Sequence, residues 1–190
     1  MSHDLARASI LSIVSLILAG PTACGSSKSE EVVAVAELAP LGASAVDGTV
    51  TFTKKNGEVH VEARVNGLQT GDHGFHIHEF GDCSAPDGKS AGEHFNPDAT
   101  DHGAPKAPRH HAGDLGNLAG AGSGKQTTLD MKLEGFTLDN GPRGILGRSV
   151  LVHAAPDDYT SQPAGNSGAR IACGVIRLRG GDTQPITAPK

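Results

Sequence analysis

The sequence contains no Trp, one Tyr and five Phe, so aromatic side chains make up only 3% of its 190 residues. A basic excess is also missing, because 16 Lys and Arg stand against 21 Asp and Glu, which gives a formal net charge of −5. Nucleic-acid binding requires a positive surface and often aromatic platforms for the bases, so we expect no nucleic-acid partner. Outside the N-terminal segment, no stretch shows a 3.6-residue apolar stripe, which argues against a helical bundle.

Glycine is abundant instead, with 26 residues, and the apolar residues alternate with a period of two, as in half-buried β-strands. Asn56-Gly57 lies between two such segments and predicts a tight hairpin turn. The candidate strands are residues 31–38, 49–53, 59–65, 74–80, 126–133, 135–138, 148–153 and 170–177. This pattern predicts an all-β fold, an eight-stranded antiparallel Greek-key barrel or sandwich.

Two long polar segments, residues 81–116 and 154–169, interrupt this pattern. Connections of this length in a compact domain are usually functional or disordered. Since they hold few apolar residues, we expect metal coordination or a disulfide to order them. The domain itself is predicted to span residues 32–180, with residues 181–190 as a flexible tail.

The N-terminus has the composition of an export signal. Arg7 precedes an apolar run, residues 10–19, that is too short to span a bilayer comfortably. Small residues then lead to Cys24, as in a bacterial lipobox, although Pro21 stands where that motif usually has Leu. We expect residues 1–23 to be a signal peptide and residues 24–31 a polar linker, with export to the periplasm or cell envelope. Lipidation of Cys24, the only membrane attachment we expect, and ordinary secretory cleavage nearby remain alternatives.

The chain has three Cys, an odd number for an exported protein. If Cys24 carries lipid, Cys83 and Cys173 remain. They either form a disulfide or stay as two buried free thiols, and an oxidising compartment favours the disulfide.

Six histidines and one aspartate form the most informative pattern in the sequence. Imidazole ligands suit zinc and copper, whereas calcium and magnesium prefer oxygen. Seven side chains fill two four-coordinate sites only if one imidazole binds both metals, one through each ring nitrogen. The candidate ligands are His76, His78, His94, His102, His111, Asp114 and His153. They predict a two-metal centre with a shared histidine, while His60, His73 and His110 are expected to be solvated.

Four segments closely resemble copper/zinc superoxide dismutases, and the resemblance extends over residues 33–178. They are GFHIHEFG at 74–81, GEHFNP at 92–97, HAGDLGN at 111–117 and GNSGARIACG at 165–174. The resemblance implies copper on His76, His78, His94 and His153, and zinc on His94, His102, His111 and Asp114. His94 would then be the shared ligand.

The resemblance also implies roles outside the two ligand sets. Asp157 would link a copper ligand to a zinc ligand, Cys83 and Cys173 would form a disulfide, and Arg170 would lie beside the copper. The expected reaction converts superoxide into dioxygen and hydrogen peroxide, with Arg170 and His94 as catalytic residues. Residues 154–169 contain no Lys, unlike the corresponding loops of many relatives, so guidance of the anion would depend mainly on Arg170.

Finally, the resemblance implies a homodimer. Phe80-Gly81, residues 145–147 and Val175 match stretches that some relatives bury between subunits. Other bacterial members pair differently or remain monomeric.

Overall fold

The computed structural model describes residues 31–181 and 183–188, which are almost entirely β-structure and loops. One short 3-10 turn, Lys89–Ala91, is the only helical element in this part of the chain. The strands are β1 (Val32–Pro40), β2 (Asp47–Lys55), β3 (Glu58–Asn66), β4 (Gly71–His78), β5 (Asp114–Gly120), β6 (Thr127–Leu133), β7 (Ser149–His153), β8 (Arg170–Val175) and β9 (Arg177–Leu178). The predicted all-β class is confirmed.

The strands form one antiparallel sheet in the order β5-β4-β7-β8-β1-β2-β3-β6, and the short β9 pairs with β1 beside β8. β5 and β6, the two ends of this path, also contact each other. The sheet therefore curls into a nearly closed eight-stranded barrel, with the non-sequential neighbours of a Greek key.

The hairpin between β2 and β3 shows how the local sequence sets the register. Asn56 and Gly57 adopt positive φ values of 53° and 88° respectively, within the turn type that an Asn-Gly pair favours. Alternate residues of β3 then enter the core, where Val59, Val61, Ala63 and Val65 are at most 1% exposed. Burial of each Val side chain contributes roughly 1.5–3 kcal/mol.

Two strand assignments differ from the sequence prediction. β5 lies partly within the segment predicted to be a loop, because pairing with β4 makes a strand of residues with weak intrinsic preference, including Gly116 and Gly120. Residues 135–138 were predicted as a strand but form bends with a single bridge, Thr137–Gly144. The Asp139 carboxylate accepts hydrogen bonds from the Thr137 hydroxyl and the Gly141 N–H, which closes a turn there.

In the segment predicted as a flexible tail, Thr183 and Ile186 contact the barrel, and Thr183 is only 5% exposed. Its hydroxyl oxygen accepts a hydrogen bond from the Leu178 N–H at 3.0 Å. Main-chain groups at Gly81 and Gly147 offer further partners to Ile186, and these contacts hold a segment that has little apolar content of its own.

The predicted signal peptide (residues 1–23), Cys24 and most of the linker lie outside the described residues. Within residues 31–181 and 183–188, the structure contains no helix long and apolar enough to cross a bilayer.

Candidate metal centre

β4 places the first two candidate ligands on one face of the barrel. His76 and His78 are two residues apart, so they project to the same side, while Phe75 and Ile77 enter the core. Both imidazoles are fully buried, at 0% exposure. Their cover is provided by two loops, the ligand loop (residues 79–113) and the channel loop (residues 154–169).

His94 is held next to β4 by main-chain pairing. It forms an isolated bridge with His78, and the Phe95 N–H donates to the Ile77 carbonyl oxygen at 2.8 Å. Gly113 closes the same arrangement, since its carbonyl oxygen accepts from the Ile77 N–H. A Cβ at position 113 would collide with the Ile77 carbonyl oxygen, so this close approach requires glycine.

The structure brings the seven predicted ligands together as two buried clusters that share one residue. Within each cluster, the potential ligand atoms lie within 4.8 Å of one another. One cluster is His76, His78, His94 and His153, and the other is His94, His102, His111 and Asp114. These are the two sets that the sequence predicted, and His94 is their common member.

The imidazole nitrogens that face the centre have no hydrogen-bond partner. They are His76 Nδ1, His78 Nε2, His94 Nε2, His102 Nδ1, His111 Nδ1 and His153 Nε2, each buried. Leaving a polar atom buried and unpaired costs about 1–3 kcal/mol, and six such atoms converge here. Nitrogen lone pairs directed into a shared space are what a pair of imidazole-bound metal ions requires, so the residues present fit copper and zinc.

Asp114 contacts all three histidines of the second cluster. Its Oδ1 atom lies 2.8 Å from His94 Nδ1, 3.0 Å from His102 Nδ1 and 3.5 Å from His111 Nδ1. Its Oδ2 atom accepts hydrogen bonds from the main-chain N–H groups of His111 and Gly103. Burial acts against ionisation of this carboxyl, but its close contacts with the three histidines outweigh burial and hold the Asp114 pKa far below its usual value.

Asp157 links the two clusters through a single carboxylate. Oδ2 lies 2.8 Å from His76 Nε2, and Oδ1 lies 2.9 Å from His102 Nε2. The pKa of Asp157 is also depressed, since these two hydrogen bonds exceed the opposing effect of burial. The outer nitrogen of one histidine from each cluster is thereby fixed, which leaves the inner Nδ1 of each ring free to bind.

The two ends of the centre differ in their proton affinity. Burial lowers the pKa of His76 to about 4 and that of His153 to about 3, and it places the pKa of His78 well below the usual value. For His102, burial acts in the same direction, but the close carboxylates of Asp114 and Asp157 prevail and raise its pKa to about 9. His76, His78 and His153 are therefore neutral and ready to bind metal at neutral pH, whereas His102 must release a proton.

Arg170 contributes a positive charge at the entrance to the first cluster. Its guanidinium donates to the carbonyl oxygens of Gly88 and Gly92, each at 2.7 Å. With His94, His153 and part of the channel loop, Arg170 lines a cavity of about 560 Å³. An anion that enters this cavity meets both the guanidinium and the face of the first cluster.

The disulfide expected between Cys83 and Cys173 is present, with Cα atoms 5.8 Å apart. It connects the ligand loop to β8, next to the strand end that carries Arg170. The loop is thereby anchored by a covalent bond at one end and by the histidine contacts further along.

One histidine was wrongly expected to be solvated. His73 is 6% exposed, with Nδ1 3.0 Å from the His153 carbonyl oxygen and Nε2 3.2 Å from the Gln69 carbonyl oxygen. It therefore supports the main chain of a candidate ligand. The strand begins at Gly71 and not at the predicted residue 74, so His73 lies within it, on the same side as Phe75 and Ile77.

Two amide side chains that the sequence analysis did not single out hold the loops together. Asn117 donates to the Asp157 carbonyl oxygen at 3.0 Å and accepts from the Asp157 N–H at 2.8 Å. Gln162 makes the same pair of contacts with the main chain of His102. The pairing partners are distant in sequence, so no local pattern could have revealed them.

Comparison with known proteins agrees with this geometry. One solved structure, described as a crystal structure analysis of the clock protein EA4, is 39% identical with a TM-score of 0.69. The match covers 77% of this chain and 94% of that one. The family model for copper/zinc superoxide dismutase matches residues 46–176, which is well over half of the chain. Together with two histidine clusters able to hold metal ions, this match shows that the chain belongs to the copper/zinc superoxide dismutase family, whose members bind copper and zinc.

Proposed function

We propose that this chain is an active superoxide dismutase of the cell envelope. One observation carries the proposal: six buried imidazole nitrogens without partners converge around a shared His94, beside a cavity lined by Arg170. In the reaction, one superoxide is oxidised to dioxygen, while another takes up its electron and two protons to give hydrogen peroxide.

The chemistry of the donors supports a specific division of the metals. Four imidazoles, from His76, His78, His94 and His153, suit copper. Three imidazoles with the Asp114 carboxylate make a closed tetrahedral set of the kind that holds structural zinc. Bound copper would supply the one-electron oxidation and reduction, and zinc would supply a redox-inert charge beside it.

The remaining steps belong to the protein's own residues. The Arg170 guanidinium attracts the anion into the cavity and orients it there. His94, which lines the same cavity, can hold a proton at Nε2 and deliver it to the reduced product. Asp157 keeps His76 and His102 in place through their outer nitrogens, so the arrangement need not reorganise during turnover.

The test is superoxide removal by protein loaded with copper and zinc, with and without cyanide. We expect cyanide-sensitive activity that is lost in His153→Ala and retained in the matched control His60→Ala, which removes a partly exposed histidine outside both clusters. Arg170→Ala should keep its metals but lose at least about tenfold in rate, because steering of an anion typically contributes this much.

Stoichiometric metal binding without superoxide removal would contradict the proposal and would favour a non-catalytic metal-binding module. Persistence of activity in His153→Ala would instead show that copper is held by other residues.

We also propose export and lipid anchoring through Cys24. The support is the apolar run at residues 10–19 followed by small residues and Cys24, together with a disulfide of the type that persists in oxidising compartments. Cys24→Ser should move the protein from the membrane fraction to the soluble fraction, and an unchanged distribution would argue against the anchor.

A further inference from the structure

Tyr159, in the channel loop, adopts a backbone conformation that a large side chain rarely occupies. Its φ is 62°, in the left-handed region, where glycine is preferred and a bulky residue is strained. It is also 37% exposed, and it is the one exposed large hydrophobic residue among residues 31–181 and 183–188. Burial in the core does not account for a tyrosine at this position, so the reason lies in the specific contacts of the residue.

These contacts reach the carboxylate that links the two histidine clusters. The Tyr159 N–H donates to Asp157 Oδ1 at 2.8 Å, and the same oxygen lies 2.9 Å from His102 Nε2. The Tyr159 hydroxyl oxygen accepts a hydrogen bond from Asn117 Nδ2 at 2.8 Å. The hydroxyl also lies over β5, where a Cβ on Gly116 would stand 3.4 Å from it. Tyr159 therefore connects the channel loop to β5 next to Asp157.

The Asn117 amide has every polar group engaged between Tyr159 and Asp157. Its Oδ1 accepts from the Asp157 N–H at 2.8 Å, and its Nδ2 donates to the Asp157 carbonyl oxygen at 3.0 Å as well as to the Tyr159 hydroxyl. An Asn side chain has two N–H donors, and the hydroxyl receives the second of them. The hydroxyl thus helps to fix the orientation of the amide that holds the main chain of Asp157, a residue only 3% exposed.

We propose that Tyr159 is a positioning residue for the zinc set: its hydroxyl fixes the Asn117 amide, the amide fixes Asp157, and the Asp157 carboxylate holds the His102 ring. The proposal rests on the assignment of zinc to His102 made above. Residues that directly orient a metal ligand typically change metal affinity by about 10–100-fold. Because Tyr159 acts through two further residues, loss of its hydroxyl should weaken zinc binding by about threefold to tenfold, below or at the lower end of that range.

The first test removes the hydroxyl and keeps the ring. Zinc affinity of Tyr159→Phe, measured by competition with a chromogenic chelator, should fall by the expected factor. Ser161→Ala is the matched control, because that hydroxyl belongs to the same loop but bonds to Asp158. The control should bind zinc as the parent does. Equal zinc affinity in Tyr159→Phe and the parent would overturn the proposal.

A double-mutant cycle separates positioning through Asn117 from a general effect on the loop. Asn117→Ala alone should weaken zinc binding about tenfold. Adding Tyr159→Phe to it should cause no further loss, because the hydroxyl then has no amide to fix. If the two losses instead multiply in the double variant, the hydroxyl acts independently of Asn117 and the proposal fails.

Hydrogen exchange in the metal-free protein provides a measurement that does not depend on zinc. The Asp157 N–H bonds to Asn117 Oδ1, so it should exchange several-fold faster in Tyr159→Phe than in the parent or in Ser161→Ala. An unchanged rate would contradict the proposal. Superoxide removal is not the measurement here. An inactive protein with the expected zinc affinities would therefore contradict the proposed function while supporting the role of Tyr159.

Discussion

The side-chain amide of Gln162 pairs with both main-chain groups of His102. Its Oε1 accepts from the His102 N–H at 2.9 Å, and its Nε2 donates to the His102 carbonyl oxygen at 3.0 Å. Gln162 belongs to the channel loop and lines the cavity beside Arg170, whereas His102 belongs to the ligand loop. One exposed amide thus joins the cavity wall to a candidate zinc ligand.

Gln162→Ala should weaken zinc binding about tenfold, the lower end of the effect typical of residues that orient metal ligands. Its amide loses both contacts, so the main chain at His102 is no longer fixed. Competition with a chromogenic chelator measures the affinity. Gln126→Ala is the matched control, because that exposed amide contacts Asn66 far from the centre. Equal affinities for the two variants would show that the pairing does not support the ligand.

Asp157→Asn should reduce zinc affinity by roughly 10–100-fold. An amide can accept through only one of its two terminal atoms, so either His76 Nε2 or His102 Nε2 loses its acceptor. Chelator competition is again the measurement. The neighbouring Asp158→Asn serves as control, since Asp158 caps Thr160 and Ser161 at the surface and contacts no candidate ligand. A similar loss in both variants would point to a general loop defect.

Removing the disulfide should lower the free energy of unfolding by roughly 2–5 kcal/mol, since it closes a loop with a sequence separation of 90 residues. The double variant Cys83→Ala/Cys173→Ala should show this in urea unfolding monitored by circular dichroism. Reductant should bring the parent protein to the same midpoint and leave the variant unchanged. If the parent and the variant unfold together under oxidising conditions, the bond does not stabilise the fold.

The metal-free chain should be most stable near neutral pH. The folded-state pKa values of His76 and His153, about 4 and 3, lie below the unfolded value of about 6.5. The unfolded chain therefore binds more protons between these limits, and stability falls as the pH decreases through that window. The depressed pKa values of Asp114 and Asp157 act in the same direction at lower pH.

Above neutral pH, the titration of His102 lowers the stability of the metal-free chain as the pH rises. Its folded-state pKa of about 9 exceeds the unfolded value, so its contribution is complete below about pH 6.5 and is lost as the pH rises through 9. Urea midpoints measured from pH 3 to 10 with chelator present should trace this maximum. His102→Gln should remove the alkaline decline, and a decline of equal size in that variant would refute the assignment.

The sequence by itself predicted the seven residues that cluster in the fold, the barrel class and, through the family resemblance, the disulfide between Cys83 and Cys173. His76-x-His78, His111-x-x-Asp114 and the Asn56-Gly57 turn are local signals, because their meaning depends on strand alternation and turn geometry over a few residues. The same local rules wrongly predicted a strand at residues 135–138. There the Asp139 carboxylate accepts two hydrogen bonds and closes a turn.

Only the tertiary structure decided the features that depend on residues distant along the chain. β5 becomes a strand because it pairs with β4. His73 is buried next to the His153 carbonyl oxygen, which lies close to its Nδ1 atom. Gln162 bonds to the main chain of His102, which is 60 residues away in the sequence. The position of Ile186 belongs to this group as well. Its main-chain groups bond to Gly81 and Gly147, which lie far from it in the sequence, and the composition of the tail alone gives no indication of such partners.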